Sequence, residues 1–121
     1  MSFLRDRVKS FGYALAGLRV LISSQRNAQI HFLATLVVIV AGFYAELEAI
    51  EWAILTLTIS AVVAAEALNT AIEFLADAAV PEQHPLIGKA KDVAAGAVLL
   101  TALAALVVGV LVFAPRLRGH P

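Results

Sequence analysis

The sequence predicts an all-α integral membrane protein: an N-terminal amphipathic surface helix followed by three transmembrane helices in one membrane domain, residues 1–121. Three observations carry that expectation. Hydrophobic residues make up 61% of the 121-residue chain and charged residues 15%, against roughly 25% charged in an ordinary soluble domain. Mean hydropathy is +0.89, and a soluble fold this short would leave much of that apolar surface in water. The apolar residues are also gathered in blocks, with the nine basic and nine acidic residues placed between them or on one stripe. The same figures exclude other classes. Without cysteine there is no disulfide framework, thiolate metal site or cysteine nucleophile. Zero net charge argues against a strongly basic nucleic-acid binder.

The surface helix is expected over about residues 2–26. Leu4, Val8, Phe11, Leu15, Leu18 and Ile22 step by 4, 3, 4, 3, 4 and fall within an arc of about 80°. Arg5, Asp6, Arg7 and Lys9 lie off that stripe, the pattern of a basic helix lying in the membrane interface. The first span is expected over 28–46, where Asn27 to Ala45 carries no formal charge apart from His31. The third is expected over 90–114; Val93 to Ala114 is 22 uncharged residues, roughly 33 Å of helix against a hydrocarbon core of about 30 Å. The second, 51–80, spans only if the acids within it are tolerated. Pro81 and Pro85 are expected to break the helix between the last two spans. None of the blocks reads as a cleaved signal peptide.

Orientation follows from the basic residues. Arg5, Arg7, Lys9, Arg19 and Arg26 precede the first span, and Lys89 and Lys91 lie before the third. The first loop has only acids, Glu46, Glu48 and Glu51. The positive-inside rule then places the N-terminus and the second loop in the cytoplasm and the C-terminus outside, with Arg116 and Arg118 as a minority violation.

The second span carries the chemistry. Glu66, Asn69, Glu73 and Asp77 stand at i, i+3, i+7 and i+11, one polar stripe about 16 Å long. Each ionised acid near the membrane centre costs on the order of 2.5–3.5 kcal/mol. A seam that joins helices by hydrogen bonds is the bland reading, but repeated like charges serve it poorly. Converging carboxylates suit a divalent cation with oxygen ligands, such as Mg²⁺. Gly88-Lys89-Ala90-Lys91-Asp92 lies at the cytoplasmic boundary, where a lysine at a helix N-terminus favours phosphate, although a boundary lysine is commonly a snorkelling anchor. No Walker A loop and no Ser-His-Asp arrangement is recognisable. The combination points to nucleotide-metal chemistry at a membrane, with a carboxylate taking a proton from a hydroxyl.

Glu66-Ala-Leu-Asn69-Thr-Ala-Ile-Glu73-x-x-x-Asp77, followed by His84-x-x-x-Gly88-x-Ala-Lys91-Asp92, resembles the signature of the small prokaryotic diacylglycerol kinase family. Asn27-x-x-Ile-His31 and Pro81-Glu-Gln-His84-Pro-Leu are more similar to its undecaprenol kinase branch. The resemblance implies a homotrimer in the bacterial inner membrane with active sites shared between protomers. It also implies transfer of the γ-phosphate of Mg-ATP to a lipid hydroxyl, of undecaprenol first and otherwise of diacylglycerol. By the same resemblance Glu66 is the base and meets the lipid substrate, and Glu73 is a Mg²⁺ ligand. Tyr13, Asn69, Glu82, His84, Lys91 and Asp92 surround the nucleotide, and Asp77 supports the site. The family's second metal-binding glutamate aligns with Gln25, which keeps an oxygen ligand but removes one negative charge. A degenerate kinase and a non-catalytic scaffold or ion conduit are the competing readings. His31 is read as an interfacial polar residue, Trp52 as an aromatic anchor at the outer membrane boundary, and Ala97, Thr101, Ala105 and Gly109 as a small-residue packing ridge.

Overall fold

The computed structural model describes residues 2–119. They form four helices in series: α1 (Ser2–Ser24), α2 (Arg26–Tyr44), α3 (Ala49–Ala79) and α4 (Pro85–Leu117), with no strand among the described residues. The last three are each long and apolar enough to cross a membrane. At 1.5 Å per residue α3 and α4 extend about 46 Å and 50 Å, beyond an apolar layer of about 30 Å. Their ends therefore have room to project into water. Most large apolar side chains of the single chain are exposed, as a surface solvated by hydrocarbon or covered by other helices requires.

The helix ends lie within three residues of expectation except at the start of α4, and two of the differences have a local reason. α1 and α2 are separated by one residue, Gln25, in extended conformation (φ −108°, ψ 116°), whose N–H still donates to the Leu21 carbonyl at 3.1 Å. α1 thus stops short of 26 because the chain turns within one peptide unit. Pro85 opens α4 instead of breaking it, five residues before the predicted start at 90. A proline fits the first helical turn because its missing N–H would have no partner there. His84 completes that start by accepting the Leu86 N–H on Nδ1 at 3.1 Å, so Gly88, Lys89 and Lys91 are all helical.

α3 and α4 make the most extensive helix pairing, running antiparallel through the short connection at Pro81. At the far end, Leu47, Leu55 and Val112 form a small core beside the α2–α3 turn. The turn holds Glu46 in the left-handed region (φ 55°). Trp52, in the first turn of α3, has its ring 4.9 Å from that of Phe43 and half-buried against Gly42. Arg116 donates to Glu51 across α3 and α4 in a largely buried ion pair. One of the two basic residues that broke the charge asymmetry is thereby neutralised by an acid. The ridge on α4 is unused within the chain at Gly109, where an added Cβ would meet nothing within 4 Å.

Candidate functional site

The acid stripe of α3 runs from buried to wet. The Glu66 side chain is 3% exposed, Asn69 and Glu73 are half-buried, and the Asp77 side chain is 67% exposed. Helical spacing fixes the common face, and the neighbours of each turn set the gradient.

At the buried end, α1, α2 and α3 enclose a cavity of about 240 Å³ lined by Leu18, Leu21, Phe32 and Val63 together with His31 and Glu66. Nδ1 of His31 stands 3.0 Å from Oε1 of Glu66. The two atoms face each other without an aligned hydrogen bond, and neither has another partner. A carboxylate in apolar walls is costly unless a polar group meets it, and here that group is an imidazole.

At the wet end, Asp77, Glu82, His84, Gly88 and Lys91 line a polar pocket of about 560 Å³. Lys91 Nζ donates to Asp77 Oδ1 at 2.7 Å, with Glu73 close enough to add to the negative field at that ammonium. Because Nδ1 of His84 accepts from Leu86, the neutral ring carries its hydrogen on Nε2 and can donate outward. The first N–H groups of α4 add positive partial charge at the same place.

Asn69 belongs to neither pocket. It lines an apolar groove of about 750 Å³ between α3 and α4, with Lys89 at its edge, and its Oδ1 is buried without a partner. Tyr13 and Asp92 are exposed; Gln25 is half-buried and donates through Nε2 to Ser24 Oγ at 3.1 Å. These three residues and Glu73 line none of the three spaces. Within one chain the predicted residues thus form a Glu66 group and an Asp77–Glu82–His84–Lys91 group, about 16 Å apart along α3.

Among the described residues no three histidine, aspartate or glutamate side chains gather at metal-ligand spacing. Mg²⁺ does not need such a cage, because it is commonly held by one or two carboxylates together with substrate phosphates. Glu73 is half-buried and outside every ion pair among the described residues, which leaves its carboxylate available to such an ion. His31 is the residue sequence reasoning passed over. Its signal lay in the Asn27-x-x-Ile-His31 run itself, but its pairing with Glu66 depends on the relative depth of two helices.

A buried carboxylate on α3 and a lysine-bearing pocket where α3 meets α4 are groups suited to proton and phosphate chemistry, and the class with which they are compatible is that of the membrane-embedded lipid kinases. The chain belongs to the prokaryotic diacylglycerol kinase family, whose pattern it matches over residues 12–113. It is 42% identical over 109 residues to an undecaprenol kinase of Bacillus subtilis, covering 90% of this chain and 89% of that protein. It is 46% identical over 109 residues to a diacylglycerol kinase of Synechocystis, covering 89% of this chain and 62% of that longer protein. With the diacylglycerol kinase of Escherichia coli K12 it shares 31% identity over 100 residues, 83% of this chain and 82% of the relative. Similarity to named enzymes along nearly the whole chain does not favour the non-catalytic scaffold.

Proposed function

We propose that this protein transfers the γ-phosphate of ATP to the hydroxyl of a polyprenol in the bacterial inner membrane, with Glu66 as general base. The observation that carries this reading is the burial of Glu66 in an apolar cavity on the helix whose end carries the Lys91–Asp77 pair. Similarity to an undecaprenol kinase supports the acceptor. So does the cavity lining: besides Glu66 and His31 its polar side chain is Thr35, whose hydroxyl already donates to the His31 carbonyl at 2.8 Å. A single-chain alcohol needs only the base, whereas the two ester carbonyls of diacylglycerol would have to compete with Glu66 for the His31 ring N–H.

In the proposed mechanism Glu66 Oε accepts the hydroxyl proton as the alcohol oxygen bonds to the γ-phosphorus. The bond from that phosphorus to the β–γ bridging oxygen breaks, and ADP leaves. Lys91, the His84 Nε2–H and the α4 N-terminus hold phosphate oxygens, while Asp77 keeps the Lys91 ammonium in place. Glu82 and Asp92 flank the nucleotide, Asn69 orients it, and Tyr13 reaches it from α1. Glu73 and Gln25 would hold Mg²⁺, which neutralises charge on the phosphates. The separation of the Glu66 and Lys91 groups within one chain is bridged in a homotrimer, where protomers share sites and cover the exposed apolar faces. α1 lies in the interface, and its basic residues set the N-terminus and the site in the cytoplasm, with the C-terminus outside.

The test is transfer of labelled phosphate from ATP in mixed micelles, with undecaprenol and diacylglycerol assayed side by side. Glu66→Gln should lose at least two orders of magnitude in kcat, the scale of general-base catalysis, and undecaprenol should be the better acceptor. Equal rates for Glu66→Gln and the native chain would remove the base; preference for diacylglycerol would remove the acceptor assignment.

A further inference from the structure

We propose that His31 is the positioning residue for Glu66, an inference that rests on Glu66 being the base. The Glu66 side chain is 3% exposed, yet neither lysine nor arginine lines its cavity. The groups facing it from α1 are Leu18, Leu21 and Ile22; α3 contributes Val63. Among the described residues no other titratable side chain lines the space. His31 alone presents a nitrogen, 3.0 Å from Oε1.

His31 enters from the first turns of α2, six residues beyond the Gln25 break. Its side chain is 26% exposed, so the ring spans from the carboxylate to the outside of the cavity. Nδ1 and Oε1 are both otherwise unpartnered, and they are at hydrogen-bonding distance but misaligned. Sites without substrate commonly show such loose geometry, which tightens in the reacting complex. A small ring rotation aligns Nδ1–H with Oε1. The bond then fixes one carboxylate oxygen and turns the other toward the cavity, where the alcohol oxygen must arrive. In this arrangement His31 touches neither alcohol nor phosphate, and acts through Glu66.

The experiment compares His31→Leu, His31→Asn and His31→Gln in the full-length enzyme, with His31→Leu repeated in the Glu66→Gln background. The Asn amide nitrogen occupies the place of Nδ1, whereas the Gln amide reaches the place of Nε2. His31→Leu should lower kcat roughly 10- to 100-fold, the usual cost of losing a group that orients a functional ligand, with KM for ATP within about twofold because His31 does not touch the phosphates. His31→Asn should recover to within about threefold of the native kcat while His31→Gln does not. In the Glu66→Gln background the Leu substitution should change the residual rate by less than about twofold, the non-additivity of groups that act as a unit. Native kcat in His31→Leu would overturn the proposal, as would equal rates for Asn and Gln or a loss that multiplies in the double variant. If His31→Leu does not fold, or the background rate is too low to read, the Asn–Gln comparison decides alone. A fully active Glu66→Gln removes the base itself; an inactive one beside an unimpaired His31→Leu removes only the positioning role.

Discussion

Gly42→Ala tests the packing that sets the far end of the bundle. A Cβ built on Gly42 lies 2.5 Å from Cη2 and 2.9 Å from Cζ2 of Trp52, and 3.1 Å from Cδ1 of Leu47. The backbone of α2 fixes its direction, and the indole has Phe43 at 4.9 Å on another side, so neither party moves cheaply. Overpacking of this kind costs about 1–3 kcal/mol. Replacing a helical glycine by alanine returns about 1 kcal/mol, which leaves a net loss of about 0–2 kcal/mol. Unfolding by a denaturing detergent in mixed micelles, followed by circular dichroism, measures it. The decisive quantity is the double-mutant cycle with Trp52→Leu. A branched aliphatic vacates the clash, so Gly42→Ala should become neutral or stabilising in that background, with a coupling of at least about 1 kcal/mol. Additive effects, or a stabilising Gly42→Ala in the native background, would refute the assignment of Trp52 as the atom-level obstacle. Trp52 is the chain's one tryptophan, so its emission in the Gly42→Ala single variant independently reports displacement of the ring.

Three further predictions follow from other parts of the fold. Lys91→Gln should raise KM for ATP roughly tenfold or more, the cost of one charged hydrogen bond, and Asp77→Asn should raise it less while leaving the unfolding midpoint unchanged; steady-state assays with varied ATP read both. Glu51→Gln strands Arg116 and should cost about 1 kcal/mol in detergent unfolding, while the exchanged pair Glu51→Arg with Arg116→Glu should recover most of it. Gln25→Glu restores a negative ligand and should lower the Mg²⁺ concentration for half-maximal rate, read by a metal titration at fixed ATP; an unchanged titration would place Gln25 outside the metal's reach.

Two of the three long apolar helices, α2 and α4, were legible as uncharged blocks bounded by charge, and α3 with its acid stripe because helical periodicity alone aligns Glu66, Asn69, Glu73 and Asp77. The start of α4 was not, since Pro85 ends one helix or opens the next with the same residue, and the His84 cap decides which. The His31–Glu66 encounter was not legible either. It depends on where the chain turns at Gln25 and on how far α3 extends past α2, both properties of three helices together. Trp52 showed the same limit: hydropathy places an aromatic at a boundary, but only the α2–α3 turn brings Phe43 and Gly42 against it.

The cavity at Glu66 opens between helices of a membrane protein, with α1 forming one wall through Leu18 and Leu21. On the proposed assignment of Glu66 as base, an acceptor alcohol reaches it by diffusing in two dimensions and slipping sideways past that wall. Its supply is governed by its mole fraction among surrounding lipids, and diluting the enzyme and lipid together in water leaves the rate per enzyme unchanged. Dilution of the alcohol by inert phospholipid, by contrast, starves the enzyme even when the total amount is constant.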